Sequence, residues 1–151
     1  MLILNFPSYH FRMQSKDNKA YIFCVVRKKF YLLTPEEWVR QHVIRFLTDV
    51  KGYDLAGIAV EVPLQLNRLD RRLDVLVYKQ AQPHIIVECK RPNVKLSQGV
   101  FDQIARYNIA LGSAYLMITN GLIHFFYQLD ETHEQFLFLK DLPIATISDS
   151  S

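Results

Sequence analysis

Two short apolar runs carry charges where a buried strand should carry none. Leu73-Asp74-Val75-Leu76-Val77 and Ile85-Ile86-Val87-Glu88-Cys89-Lys90 are rich in branched apolar residues, the composition of strands covered on both faces. Side chains alternate across a sheet, so Glu88 and Lys90, two apart, share a face. An unpaired carboxylate inside such a layer costs several kcal/mol. A fold that buries these strands must therefore compensate Asp74 and Glu88. Convergence of both carboxylates on a divalent cation, with the Lys90 ammonium beside them, would do so.

The rest of the chain supplies the frame. Tyr9 to Gln14, Ala20 to Val26 and Phe30 to Leu33 read as short strands, the first two separated by the polar cluster Ser15-Lys16-Asp17-Asn18-Lys19. Thr34, Pro35 and Glu37 form a helix start: an N-cap, a proline at the first helical position, and a capping-box acid three residues on. Val39, Val43, Phe46, Leu47 and Val50 recur at helical spacing, and Gly52 marks the stop. Strands follow at Ile58 to Leu64, Arg72 to Tyr78 and His84 to Lys90, the last closed by Pro92. A second helix spans about Ser97 to Leu111, ended by Gly112. Ala114 to Thr119 and Leu122 to Leu129 flank Asn120-Gly121, a type I′ hairpin signal, and Gln135 to Leu139 reads as an edge strand. The expectation is an α/β fold: a helix, three strands, a helix and a strand pair around one mixed sheet. Residues 1–33 form an N-terminal β extension, 34–147 the core, and 148–151 a frayed tail.

Composition narrows the class without naming a partner. Of the 151 residues 50% are apolar, enough for one core and against disorder. The net charge of +3 permits contact with nucleic acid without demonstrating it. No run approaches the roughly 18 apolar residues of a membrane span. The apolar start Met1 to Phe6 is too short for a signal peptide and is broken by Pro7. Cys24 and Cys89 make no disulfide framework, and a reducing cytoplasm is expected.

Asp74, thirteen intervening residues, then Glu88-Cys89-Lys90 between apolar strands resembles the PD-(D/E)xK nuclease superfamily. The wider text resembles the N-terminal domain of type I restriction enzyme R subunits. The resembling stretches are Leu33 to Gln41, Arg72-Leu73-Asp74, Val87 to Lys90, Phe101 to Asn108 and Thr119-Asn120-Gly121. The resemblance implies a restriction-endonuclease-like α-β-β-β-α-β core with a C-terminal hairpin, Mg²⁺ dependence (Mn²⁺ substituting) and hydrolysis of DNA. Phosphodiester hydrolysis calls for a hard cation that neutralises phosphate and acidifies bound water. Asp74, Glu88 and the backbone carbonyl of Cys89 are the expected metal ligands, and Lys90 holds or deprotonates the attacking water. Gln103 and Tyr107 match the Gln-x-x-x-Tyr element of exonuclease-like branches; four apart, they share a helix face. The family also supplies an acid from its first helix. Glu36 and Glu37 compete for that place; Glu36, seven before Val43, is the one expected inward as a further metal ligand, and Glu37 outward as a cap.

Leu73 stands where the superfamily often has proline, and no Gly-x-x-x-x-Gly-Lys-Ser/Thr loop is present, so a helicase motor is not carried over. DNA is the expected partner, with a homodimer and a helicase or restriction-complex subunit also admitted. Two rival readings stand beside the nuclease: a non-cleaving DNA-binding or assembly module, and a nuclease acting on structured RNA. Arg68, Arg71 and Arg72, like Arg91 and Lys95, are either phosphate contacts or solvated turns. His10, His42, His84, His124 and His133 lack ligand spacing, Cys89 reads as a packed side chain, and Phe125-Phe126-Tyr127 as core.

Overall fold

The computed structural model describes residues 1–132 and 134–146; the expected tail at 148–151 and His133 lie outside them. Regular structure begins with a small antiparallel sheet of β1 (Met13–Lys16), β2 (Lys19–Cys24) and β3 (Lys29–Leu32). Asp17 and Asn18 hold φ of 52° and 63°, the pair of positive angles a two-residue hairpin turn needs. That turn pairs Lys16 with Lys19 and leaves β1 starting at Met13, not at Tyr9. Tyr9 and Phe11 instead stack near the His42 ring.

Helix α1 (Pro35–Arg45) starts as its capping residues predict. Thr34 Oγ1 accepts the Glu37 N–H at 3.0 Å, and Pro35 takes the first turn. The capping box is only half built, because the Glu37 carboxylate turns inward to Arg27, Arg40 and Gln41. A wider π-helical turn, Phe46–Val50, follows and Gly52 ends it at φ 77°. The wider turn breaks the 3.6-residue spacing, so Val50 faces solvent while Val39, Val43 and Leu47 are buried.

The central sheet has six strands in chain order: β4 (Ile58–Leu66), β5 (Leu69–Lys79), β6 (Gln82–Cys89), β7 (Tyr115–Thr119), β8 (His124–Asp130) and β9 (Gln135–Leu139). Helix α2 (Gln98–Leu111) carries the chain from β6 to β7, the one parallel pair among the described residues, and Gly112 closes it in the left-handed region. The order α-β-β-β-α-β and the closing β8–β9 hairpin are those expected. One face of the sheet packs Val75, Val77, Ile85, Val87 and Met117 against Val39 and Val43 of α1 and Leu47 of the turn that follows it. The other packs Leu73, Leu76, Ile86, Leu116 and Ile118 against Ile104 and Tyr107 of α2. Cover on both faces is why the central strands read as unbroken apolar runs. Each fully buried branched side chain contributes about 1.5–3 kcal/mol.

Two turns depart from expectation. Asn120-Gly121 is not a type I′ turn: only Gly121 has positive φ, and Asn120 Oδ1 accepts from Leu122 and Ile123 N–H. The side chain's own turn replaces the backbone one and spaces β7 from β8 by four residues. The second departure lengthens β4 and β5 beyond the expected ends. Asn67 and Arg68, at φ 49° and 66°, form a tight turn between Leu66 and Leu69. β6 pairs with β5 only from Val75 onward, so the stretch below it pairs with β4 alone and projects as a two-stranded arm.

At the root of the arm the side-chain alternation inverts. Ile58 and Val60 face α1, whereas Val62, Leu64 and Leu66 face α2. Between them Glu61 sits at φ 51°, where the register passes from the Val60–Val75 pair to the Val62–Leu73 pair. A left-handed residue inside a strand carries of order 1–3 kcal/mol of strain and persists where its surroundings impose it.

Candidate active site

β5 and β6 stay paired as far as Val75 and Val87 and then part. The Asp74 side chain spans the opening: its Oδ2 accepts the Cys89 N–H at 2.7 Å. Its Oδ1 accepts from Arg40 Nη2 at 2.8 Å. Glu88 is buried beside it; Oε1 lies 3.5 Å from Lys90 Nζ, and Oε2 is buried with no hydrogen-bond partner. Burial, then the Asp74 charge, pushes the Glu88 carboxyl up to about 8, with Lys90 offsetting part. Burial and the same charge raise the Cys89 thiol, so Cys89 is a packed thiol whose contribution comes from its backbone.

Glu88 opens into a cleft of about 660 Å³ between the arm and α2, which Gln103 and Tyr107 also line. Gln103 Nε2 donates to Tyr107 Oη at 2.9 Å, the i,i+4 pair the spacing predicts. Burial first, then the Glu88 charge, raises the Tyr107 phenol, which places that ring within electrostatic reach of Glu88. The fold thus brings Asp74, Glu88, Lys90, Gln103 and Tyr107 to one locality.

The first-helix acids are reversed from their expected orientation. Glu37 is buried and Glu36 half-exposed, with 47% of its side chain open to solvent. Glu37 is drawn in by Arg27 Nη2 at 2.6 Å and Arg40 Nη1 at 2.9 Å. Glu36 Oε1 accepts from Arg40 Nη2 at 2.7 Å, the same nitrogen that holds Asp74.

Sequence patterning missed Arg40, the cation at the centre of this cluster. Its burial opposes its charge, yet its acidic neighbours, Asp74 foremost and Glu37 with it, together more than offset that and its pKa is raised. The signal was present as Glu36 and Glu37 standing four and three residues before it. Glu61 was missed as well. It receives Arg27 at 3.2 Å and lies 3.8 Å from Arg40, and no local pattern marks it. His42 and His124 have structural duties, bonding Trp38 O and the Thr119 hydroxyl.

Among the described residues no three His, Cys, Asp or Glu side chains form a ready-made metal cage. The site offers two adjacent carboxylates, one with a buried oxygen lacking any partner. That donor set fits Mg²⁺, which is held by one or two carboxylates and keeps several waters. Both Asp74 oxygens accept one hydrogen bond and retain a lone pair each.

A mixed sheet with helices on both faces, opened where two strands part over a carboxylate–lysine cluster, defines a mixed α/β domain with its polar site at a strand fork. The chain belongs to the family described as type I restriction enzyme R protein N terminus, which it matches over residues 35–143. That span runs from the first residue of α1 past the end of β9 and sets the domain in a restriction-system context. No curated protein matches the chain.

Proposed function

We propose that this domain is a Mg²⁺-dependent deoxyribonuclease of the PD-(D/E)xK type, hydrolysing DNA phosphodiester bonds within a restriction or DNA-processing system. The observation that carries the reading is Glu88: a buried carboxylate with one oxygen lacking a partner, beside Asp74 and in reach of Lys90. Asp74, Glu88 and the Cys89 carbonyl would hold the cation, while Glu36 of α1, half-exposed and bonded to Arg40, stays outside that set. When bound, Mg²⁺, or Mn²⁺ in its place, neutralises phosphate charge and makes a water more acidic.

The remaining work falls to this chain's own groups. Lys90 holds the attacking water through its ammonium and stabilises charge developing on the phosphate. Gln103, fixed by Tyr107, orients the phosphate from the α2 side of the cleft. The Cys89 N–H and Arg40 keep Asp74 in one rotamer, which preorganises it at little entropic cost when substrate arrives. DNA is the partner in this reading. A helicase or other restriction-complex subunit, a second copy of the chain and a cytoplasmic setting belong to the same proposal.

Arg40 favours one alternative. Its guanidinium already sits on Asp74 and Glu36, which suits an assembly or DNA-binding module that does not cut unaided. Incubating the protein with DNA and RNA substrates in Mg²⁺ or Mn²⁺ separates the two. Chelator-sensitive DNA cleavage is the expected result. Folded protein that leaves every DNA intact in both metals would overturn the nuclease and favour the module.

A further inference from the structure

We propose that the arm of β4 and β5, together with α2, forms a groove that threads one strand of DNA to the carboxylate site. This deepens the nuclease reading and rests on it for the choice of nucleic acid. The cleft at Glu88 adjoins a second hollow of about 220 Å³, lined by Leu66, Leu69, Arg71 and Arg106 together with Gln103 and Tyr107. Arg71, Gln103 and Tyr107 line both, so the two hollows make one path from the arm's tip to Glu88.

The groove's charges match a phosphate chain. Arg71 comes from the arm and Arg106 from α2, on opposite walls, and both side chains are exposed. Arg71 donates to its neighbour's backbone carbonyl, Asp70 O. Among the described residues neither arginine has a carboxylate within ion-pair distance, in contrast to Arg27, Arg40 and Arg45. Arg72 lines the inner cleft beside them, 4.0 Å from Glu61, and Asp70 lines it as well. The inverted alternation at Glu61 is what turns this row toward α2. With regular alternation through Glu61, Leu64 and Leu66 would face α1.

The dimensions favour a single strand. A cleft of about 660 Å³ has the volume of a small-molecule pocket and takes a few nucleotides. A duplex, wider than its own major groove of about 12 Å, is expected to be held less well than one strand by a cleft of this volume. The apolar residues Leu64, Leu66 and Leu69 offer the bases a surface without reading their edges, while the arginines follow the backbone.

Binding of a fluorescent single-stranded deoxyoligonucleotide and of the corresponding blunt duplex, by anisotropy in Ca²⁺ across a salt series, tests this without any cleavage. Wild-type protein should bind the single strand more tightly than the duplex. The double variant Arg71→Ala/Arg106→Ala should lose about tenfold or more in single-strand affinity. It should also flatten the salt slope by about 1.4, from about 0.7 per lost phosphate contact. Lys16→Ala/Lys28→Ala, in β1 and in the turn between β2 and β3, should change neither. Both altered arginines are exposed, and an unchanged melt would certify the fold. Equal or tighter binding of the duplex, or a double variant with wild-type affinity and slope, would overturn the groove. Arginine-dependent strand binding by a protein that cleaves nothing would retain the groove and discard the nuclease.

Discussion

A single guanidinium nitrogen of Arg40, Nη2, lies 2.8 Å from Asp74 Oδ1 and 2.7 Å from Glu36 Oε1. It ties the first helix to the strand fork. Arg40 also reaches Glu37 through Nη1, so one buried cation hydrogen-bonds three carboxylates, with Glu61 a fourth at 3.8 Å.

Removing one partner of a buried ion cluster leaves the others uncompensated, which costs about 3–5 kcal/mol. Arg40→Met should destabilise the metal-free protein by that order in urea unfolding. Millimolar Mg²⁺ should restore part of the loss by supplying charge near Asp74. A variant as stable as wild type would show that the cluster is not held by Arg40.

The Glu88 carboxyl, ordinarily near 4.5, stands at about 8 in the fold, so the folded state holds a proton the unfolded chain has released. Its contribution to stability is full below pH 4.5 and is lost as pH rises through about 8. Metal-free wild type should therefore weaken by a few kcal/mol relative to Glu88→Gln between pH 5 and pH 8, read from paired melts. Divalent metal should reverse the loss, with about 2.7 kcal/mol gained at a hundredfold excess over Kd. Parallel pH profiles for the two proteins would contradict the raised pKa.

Cleavage should fall at least a hundredfold on Glu88→Ala or Lys90→Ala, the range for losing one preorganised group at a reacting phosphate. Asp74→Ala should abolish it too, with some stability lost because Arg40 and the Cys89 N–H lose an acceptor. Single-turnover assays measure this, and a wild-type rate in any one variant removes that residue from the chemistry.

Gln103→Ala should slow cleavage about tenfold while calorimetric metal affinity stays unchanged, because Gln103 faces the cleft from α2 and bonds Tyr107. Tyr107→Phe should give a smaller effect in the same direction. A matching loss of metal affinity would place Gln103 among the ligands.

Gly121 has φ 87°, and a Cβ there would stand 2.9 Å from both a Leu4 methyl and a Val39 methyl. Gly121→Ala combines backbone strain with overpacking and should cost about 2 kcal/mol in thermal melts, without changing DNA or metal binding. An unaltered melting temperature would mean that Leu4 and Val39 yield freely.

The start of α1 at Thr34-Pro35, the stop of α2 at Gly112 and the apolar strands β5 to β7 were all legible in the sequence. Each is written in residues adjacent along the chain: caps satisfy amides three residues away, and alternation or helical spacing shows within a few turns. Asp74, Glu88 and Lys90 were legible for the same reason, as charges inside apolar runs. The orientation of Glu37 was not: Glu36 before Val43 and Glu37 before Ile44 stand at the same helical spacing, both apolar partners are fully buried, and Arg27, ten residues off, draws in Glu37. Nor was the Asn120 turn, whose side chain caps its own loop and also donates to Val94 O, 26 residues away.

The sequence by itself determined which segments become helix and strand and which charged residues must be compensated, since both follow from local propensity and the cost of desolvation. Only the tertiary structure decided what compensates them. Arg40 meets Asp74 across 34 residues of chain, and the left-handed Glu61 turns the arm's side chains toward α2. Such pairings depend on which elements pack together, and Coulomb attraction fixes partners only once packing has brought them within a few ångströms and shut out water.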